Sequence, residues 1–96
     1  GRTEEALEHA ERAVEIDPRF PQAWYNRGFF LSERGLYEDA VDAFDNALRL
    51  GMRNADILEE KALALEEIGE EEAAQEAVEQ ADELRAAAED ELREEF

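Results

Sequence analysis

Apolar residues recur at spacings of three and four along most of this chain, the mark of amphipathic helices rather than strands. Residues 24–50, WYNRGFFLSERGLYEDAVDAFDNALRL, hold two such stripes separated by Gly35. The pattern returns 34 residues to either side. Gly1, Gly35 and Gly69 fall in register, as do Ala6, Ala40 and Ala74, then Ala13, Ala47 and Ala81, then Ile16, Leu50 and Leu84. A fixed period of this length means stacked helical hairpins, each leaning on its neighbours, rather than one closed core.

Five helices are predicted. Thr3 is the expected cap of the first, with Glu4 and Glu5 favoured by the dipole in its first turn. Its stripe is Leu7, Ala10, Ala13, Val14 and Ile16. Asp17 and Pro18 end it, because a residue before proline is pushed out of the helical region. Phe20 falls in the turn, and Pro21 suits a first helical position, where a missing N–H costs nothing. The second helix covers about residues 21–34, with Trp24, Gly28 and Leu31 inward. A mid-helix glycine costs roughly 1 kcal/mol relative to alanine, so Gly28 implies a close helix–helix approach.

Gly35 predicts a left-handed stop. The third helix starts near Tyr37, buries Ala40, Val41, Phe44, Ala47 and Leu48, and stops at Gly51. Asn54 caps a fourth helix over about residues 55–68, with Leu58, Ala62 and Leu65 inward, and Gly69 ends it. Neither Gly nor Pro follows Gly69, so a fifth helix can run over residues 71–94, roughly 36 Å at 1.5 Å per residue. Its stripe passes through Ala74, Val78 and Ala81, then Leu84, Ala88, Leu92 and Phe96. Glu94 and Glu95 oppose the dipole, so its end is expected to fray.

Trp24, Gly28, Leu31, Ala40, Phe44 and Ala47, with Gly35 and Tyr37 at the turn, resemble the 34-residue unit of the tetratricopeptide repeat (TPR) family. The resemblance implies an all-α fold: a right-handed α-solenoid of stacked antiparallel helical hairpins. It divides the chain, as one domain, into the second half of a repeat (1–20), a full repeat (21–54), another (55–88) and a helical extension (89–96). Arg27 and Lys61 stand where the family has leucine, and Met52 and Ala86 replace its closing proline. In the last repeat Leu58 replaces Trp24 and Val78 replaces Phe44, so looser packing is expected there. The extension is expected to cover that end of the stack.

The resemblance also implies a function. In the family, the leading helix of each repeat lines a concave groove that receives a peptide or a helix of a partner protein. The corresponding positions are Gln22, Tyr25, Asn26, Phe29 and Ser32 or Glu33, then Glu59, Glu60, Leu63, Glu66 and Glu67. Two readings of the aromatic residues stand open: Tyr25 and Phe29 as anchors in the groove, or Phe30 in the core with Tyr25 and Phe29 sheltered against the leading helix that the first repeat lacks. Asn26 matches the central asparagine of the carboxylate clamp in some members, but Glu59 and Glu60 stand near where that clamp is basic. An acidic groove with an aromatic floor should instead prefer an apolar guest carrying Lys or Arg. The alternative is self-association as a homodimer, through the exposed face of the first helix or the stripe at Leu84, Ala88, Leu92 and Phe96.

Composition narrows the partners. The 96 residues carry 28 acidic side chains against 10 basic ones, a net charge of −18. Such a field repels nucleic acid and anionic membranes. Nine of the basic residues are Arg, and this acid excess with little Lys resembles a chain from a salt-rich cytoplasm or a high-GC genome. There is no cysteine, which matches a reducing compartment, and a cytoplasmic location is expected. No apolar run approaches the roughly 20 residues of a membrane span, and no basic-then-apolar leader opens the chain. Gly1 begins in mid-repeat, as expected of a piece of a longer protein.

No catalytic constellation emerges. His9 is the one histidine and reads as solvated on an acidic helix; only Thr3 and Ser32 could serve as hydroxyl nucleophiles, and nothing orients either. Glu66, Glu67 and Glu70 to Glu72 read as solvated faces rather than general acids, which need burial to raise their pKa. No calcium-loop spacing is present. Neither enzyme activity nor a cofactor nor a metal is expected.

Overall fold

Three glycines take backbone angles that other residues rarely adopt, with φ of 78° at Gly35, 101° at Gly51 and 82° at Gly69. Each closes a helix in the same way. The Gly35 N–H donates to the Ser32 carbonyl and the Leu36 N–H to Leu31; Gly51 and Met52 repeat this on Leu48 and Ala47, and Gly69 and Glu70 on Glu66 and Leu65. This paired bonding satisfies carbonyls that a helix end leaves free.

The computed structural model describes residues 1–95, which form α1 (Arg2–Ile16), α2 (Pro21–Glu33), α3 (Tyr37–Arg49), α4 (Ala55–Glu67) and α5 (Glu71–Glu95). All regular structure among the described residues is helical. Helix α2 pairs with α3 and α4 with α5; α1 packs on α2, α3 on α4, and α2 touches α4 along a narrow strip. Each helix thus leans chiefly on its sequence neighbours, as in an all-α solenoid.

The core follows the helical stripes. Phe44 and Ile57 are fully buried among Leu7, Leu31, Ala40, Ala43, Ala47, Leu58 and Ala81. Gly28 makes room for Phe44: a Cβ there would stand 2.6 Å from the ring. A second cluster of Ala62, Leu65, Ala74 and Ala77 holds α4 to α5, with Val78, the counterpart of Phe44, only partly buried against it. Trp24 packs on the core and donates its indole N–H to the Pro18 carbonyl at 2.8 Å, fixing the first turn. Asn54 caps α4 by accepting the Ile57 N–H at 2.9 Å.

Several expectations change. Thr3 is not the cap: α1 begins at Arg2, and the Thr3 hydroxyl instead donates to Glu33 Oε2 on α2 at 3.4 Å. Ile16 is 78% exposed and stands outside the core, because α1 has only α2 beside it. Val41 and Leu48 are half-buried, whereas Ala43, Ile57, Ala64 and Ala77 are more deeply buried than the stripes suggested.

The extension of α5 does not cover the end of the stack. Every residue of 85–94 is exposed, Leu92 by 57%. The cause is length: α5 has 25 residues against 13 in its partner α4, so its second half projects beyond α4. This overhang raises the radius of gyration to 14.4 Å, where a compact chain of 96 residues would have about 12.5 Å. The continuation of the stripe at Phe96 lies outside the described residues.

Candidate functional site

Helices α2 and α4 lead their hairpins, and a groove of about 380 Å³ opens between them. Its α2 wall is Phe29, Ser32 and Glu33; its α4 wall is Glu60, Leu63, Ala64 and Glu67; Tyr37 and Phe44 of α3 complete the lining. Spacings of three and four put each set on one helical face. Small side chains at Ser32 and Ala64 leave space between the walls.

The surface of this groove is apolar where it meets solvent. Leu63 is 62% and Phe29 is 36% exposed. Phe29 is held edge-to-face against Phe30, ring centroids 5.3 Å apart, and Phe30 packs on the core. The aromatic wall is therefore fixed from behind. Glu33 and Glu67 stand exposed at its edges.

Tyr25 and Glu60 join the two walls. The Tyr25 hydroxyl donates to Glu60 Oε1 at 3.1 Å, and its ring lies 6.1 Å from that of Phe44. Burial, then the hydrogen bond and negative charge of Glu60, then Asp56, push the Tyr25 phenol up to about 12. Burial also raises the Glu60 carboxyl; the hydrogen bond from Tyr25 opposes this, and Asp56 and Glu59 add to it. Two polar atoms in the groove walls, Ser32 Oγ and Glu60 Oε2, are buried with no hydrogen-bond partner among the described residues.

The positions singled out by sequence separate into three groups. Phe29, Glu33, Glu60 and Leu63 line the groove together with Ser32 and Glu67, and Tyr25 borders it through Glu60. Gln22 and Asn26 lie exposed on α2, where Gln22 Nε2 donates to Asn26 Oδ1 at 3.0 Å. Glu59 and Glu66 lie outside the lining of this groove, on the flank of α4 toward α5. Glu59 pairs with Arg85 of α5 at 2.6 Å, and Glu66 lies beside Glu71, Ala74 and Gln75. Of the aromatic residues, Phe30 packs on the core and Phe29 lies on the groove surface, while Tyr25 is half-buried against Phe44 and Glu60.

Sequence reasoning missed Tyr37, Phe44 and Ala64 as lining residues. Ala64 could have been found, since it stands four residues after Glu60 and shares its face. The basic residues that replace the family's leucine have local partners: Lys61 Nζ lies 2.7 Å from Asp45 Oδ1 on α3, and the Arg27 guanidinium stands 5.6 Å over the Trp24 ring. His9 is exposed on α1. Among the described residues, no group of three or more His, Cys, Asp or Glu is placed to hold a metal ion, and no helix is long and apolar enough to cross a membrane.

Comparison with known proteins agrees with this architecture. Models of the tetratricopeptide repeat match residues 9–42 and 55–87. The uncharacterised protein MJ0572 of Methanocaldococcus jannaschii is 38% identical over 48 residues, 50% of this chain and 56% of that protein. The TPR repeat-containing protein MJ1428 of the same organism is 29% identical over 65 residues, 68% of this chain and 11% of that protein. This chain therefore spans about half or less of the curated relatives it matches.

Among solved structures, YrrB, described as a TPR protein with an unusual peptide-binding site, superposes with a TM-score of 0.80 at 30% identity, over 86% of this chain and 43% of that one. MamA MSR-1 superposes with a TM-score of 0.84 at 23% identity, over 91% of this chain and 50% of that one, a likeness of fold. The hairpins, their glycine stops and these matches together make the chain a member of the tetratricopeptide repeat family.

Proposed function

We propose that this chain is a non-catalytic interaction module that holds a segment of a partner protein between α2 and α4. The observation that carries this reading is the pair of exposed apolar side chains, Phe29 on the α2 wall and Leu63 on the α4 wall, set in a groove of about 380 Å³ and edged by Glu33 and Glu67. Exposed apolar side chains gathered in one groove mark binding surfaces, and aromatic ones often carry much of the binding energy. The peptide-binding site of YrrB, a protein of the same family, supports the same kind of role here.

With a net charge of −18 and carboxylates on both walls, the groove favours an apolar segment carrying basic residues over an acidic one. The repeat units we assign are 21–54 and 55–88, so that the groove lies between the leading helices of two consecutive units. Gln22 and Asn26, exposed just above it on α2, are positions where a longer guest would continue.

A peptide array read by fluorescence tests this. Apolar-basic peptides should bind more tightly than apolar-acidic ones, and Phe29→Ala with Leu63→Ala should weaken them at least tenfold while the helical content is unchanged. Binding that follows acidic sequences, or that ignores both substitutions, refutes the reading. Self-association is the second reading, and the exposed Leu92 on the projecting half of α5 favours it. Light scattering of the wild type and Leu92→Glu separates a helix-mediated dimer from a monomer.

A further inference from the structure

We propose that the α2/α4 groove anchors its guest by a lysine side chain, whose ammonium is received by Glu60 Oε2 with Ser32 Oγ as a second acceptor in the same groove. This rests on the groove being the binding surface, and it names the residue type that the groove selects.

The argument starts from two unmet atoms. Ser32 Oγ and Glu60 Oε2 are buried and without hydrogen-bond partners among the described residues, although both side chains line the groove. Buried polar atoms are nearly always paired, so an unpaired couple in a binding groove points to a ligand that supplies donors. Glu60 Oε2 is shielded from solvent, but the last torsion of a glutamate is broad and soft, and the Tyr25 hydroxyl can follow Oε1 through a small turn that brings Oε2 to the groove. An ammonium suits the pair: it carries three donors that can reach acceptors in different directions. Its four-carbon stem would lie along Phe29 and Leu63, both exposed on the groove surface.

Lysine is favoured over arginine by what Tyr25 does. A guanidinium binds a carboxylate best through two parallel hydrogen bonds, one to each oxygen. Glu60 offers one unengaged oxygen and one shared one, because Oε1 already accepts the Tyr25 hydroxyl at 3.1 Å. A point charge loses nothing by this; a planar fork must approach an oxygen whose best direction Tyr25 already occupies. Glu33 and Glu67 attract either cation from the edges and do not discriminate.

The test uses an array of N-acetylated, C-amidated nonapeptides with Lys, Arg or norleucine at the centre and random residues elsewhere, plus lysine-free peptides with a free N-terminus. The folded chain is compared with Glu60→Gln, Tyr25→Phe and Phe29→Ala. Central Lys should bind about tenfold or more tightly than norleucine, and severalfold more tightly than Arg. Glu60→Gln should abolish the preference for Lys over norleucine. Tyr25→Phe frees Oε1 and should remove the preference for Lys over Arg.

Equal binding of Lys and norleucine peptides overturns the lysine anchor; if Phe29→Ala still weakens binding, the groove reading stands without it. Preferential binding of free N-termini also overturns the lysine assignment. Binding that no peptide shows above the Phe29→Ala background overturns both.

Discussion

Gly28 lies so close to Phe44 that a β-carbon would stand 2.6 Å from Cε1 and 3.2 Å from the Ala40 carbonyl oxygen. The ring cannot step aside, because Phe44 is fully buried. Alanine should raise helix propensity by about 1 kcal/mol, yet overpacking of a filled core costs about 1–3 kcal/mol, so the two terms oppose. Overlap with backbone as well as ring makes the second larger. Gly28→Ala should therefore destabilise the fold by about 1–2 kcal/mol in urea unfolding. The same change in a Phe44→Leu background should be neutral or stabilising. A stabilising effect in the wild type would show that α2 and α3 approach less closely.

Gly28 also shows what a sequence makes legible. A glycine inside a helical stripe announces a close contact, and the glycines and prolines between stripes announced all five helices. Period alone does not say which neighbour covers each flank of a helix. Glu59, Glu60 and Glu66 all belong to the leading helix of one repeat, but Glu60 faces α2 while Glu59 and Glu66 face α5. Ile16 repeats in register with Leu50 and Leu84, yet Ile16 is 78% and Leu50 38% exposed, so register alone does not bury that position. The pairing of Tyr25 with Glu60, 35 residues apart, has no local signature at all.

Tyr25 should ionise late. Its folded phenol is pushed up to about 12 from an ordinary 10.0 by burial and by Glu60. A group raised on folding contributes stability that is fully present below its unfolded value. That contribution is lost as pH climbs from about 10 through about 12. In a Tyr37→Phe variant only Tyr25 reports, and its phenolate absorbance should rise near pH 12 rather than near 10. Glu60→Gln removes the adjacent charge and should move the midpoint down. A midpoint near 10 in the Tyr37→Phe variant would refute the Tyr25–Glu60 contact.

The projecting half of α5 should be dispensable for folding. Leu92 is 57% exposed and outside both core clusters. Leu92→Glu should change stability by no more than about 0.5 kcal/mol, as surface changes do. Leu65→Ala, in the cluster that joins α4 to α5, should cost about 2–5 kcal/mol. Chemical denaturation of both variants measures the contrast. If Leu92→Glu lowers the apparent mass in light scattering as well, the stripe is an interface between copies.

Salt should stabilise this chain, and the shape of the response identifies the cause. Twenty-eight acidic side chains face ten basic ones on a body of 46 × 31 × 22 Å. At 10 mM salt the screening length is about 30 Å, comparable with the molecule, so carboxylates on opposite sides repel one another. Near 0.15 M it falls to about 8 Å, and only close neighbours still interact. The ion pairs are too few to reverse this: among the described residues, those between helices are Lys61 with Asp45 and Arg85 with Asp56 and Glu59. For a domain of this size about 1 kcal/mol of relieved repulsion raises Tm by about 4–8 °C. The thermal midpoint should therefore climb by several degrees between 10 mM and 0.15 M NaCl and flatten beyond. A rise that continues linearly to molar salt would instead report ion exclusion from the surface. A midpoint that does not move at all would mean that self-repulsion contributes nothing to the stability of this fold.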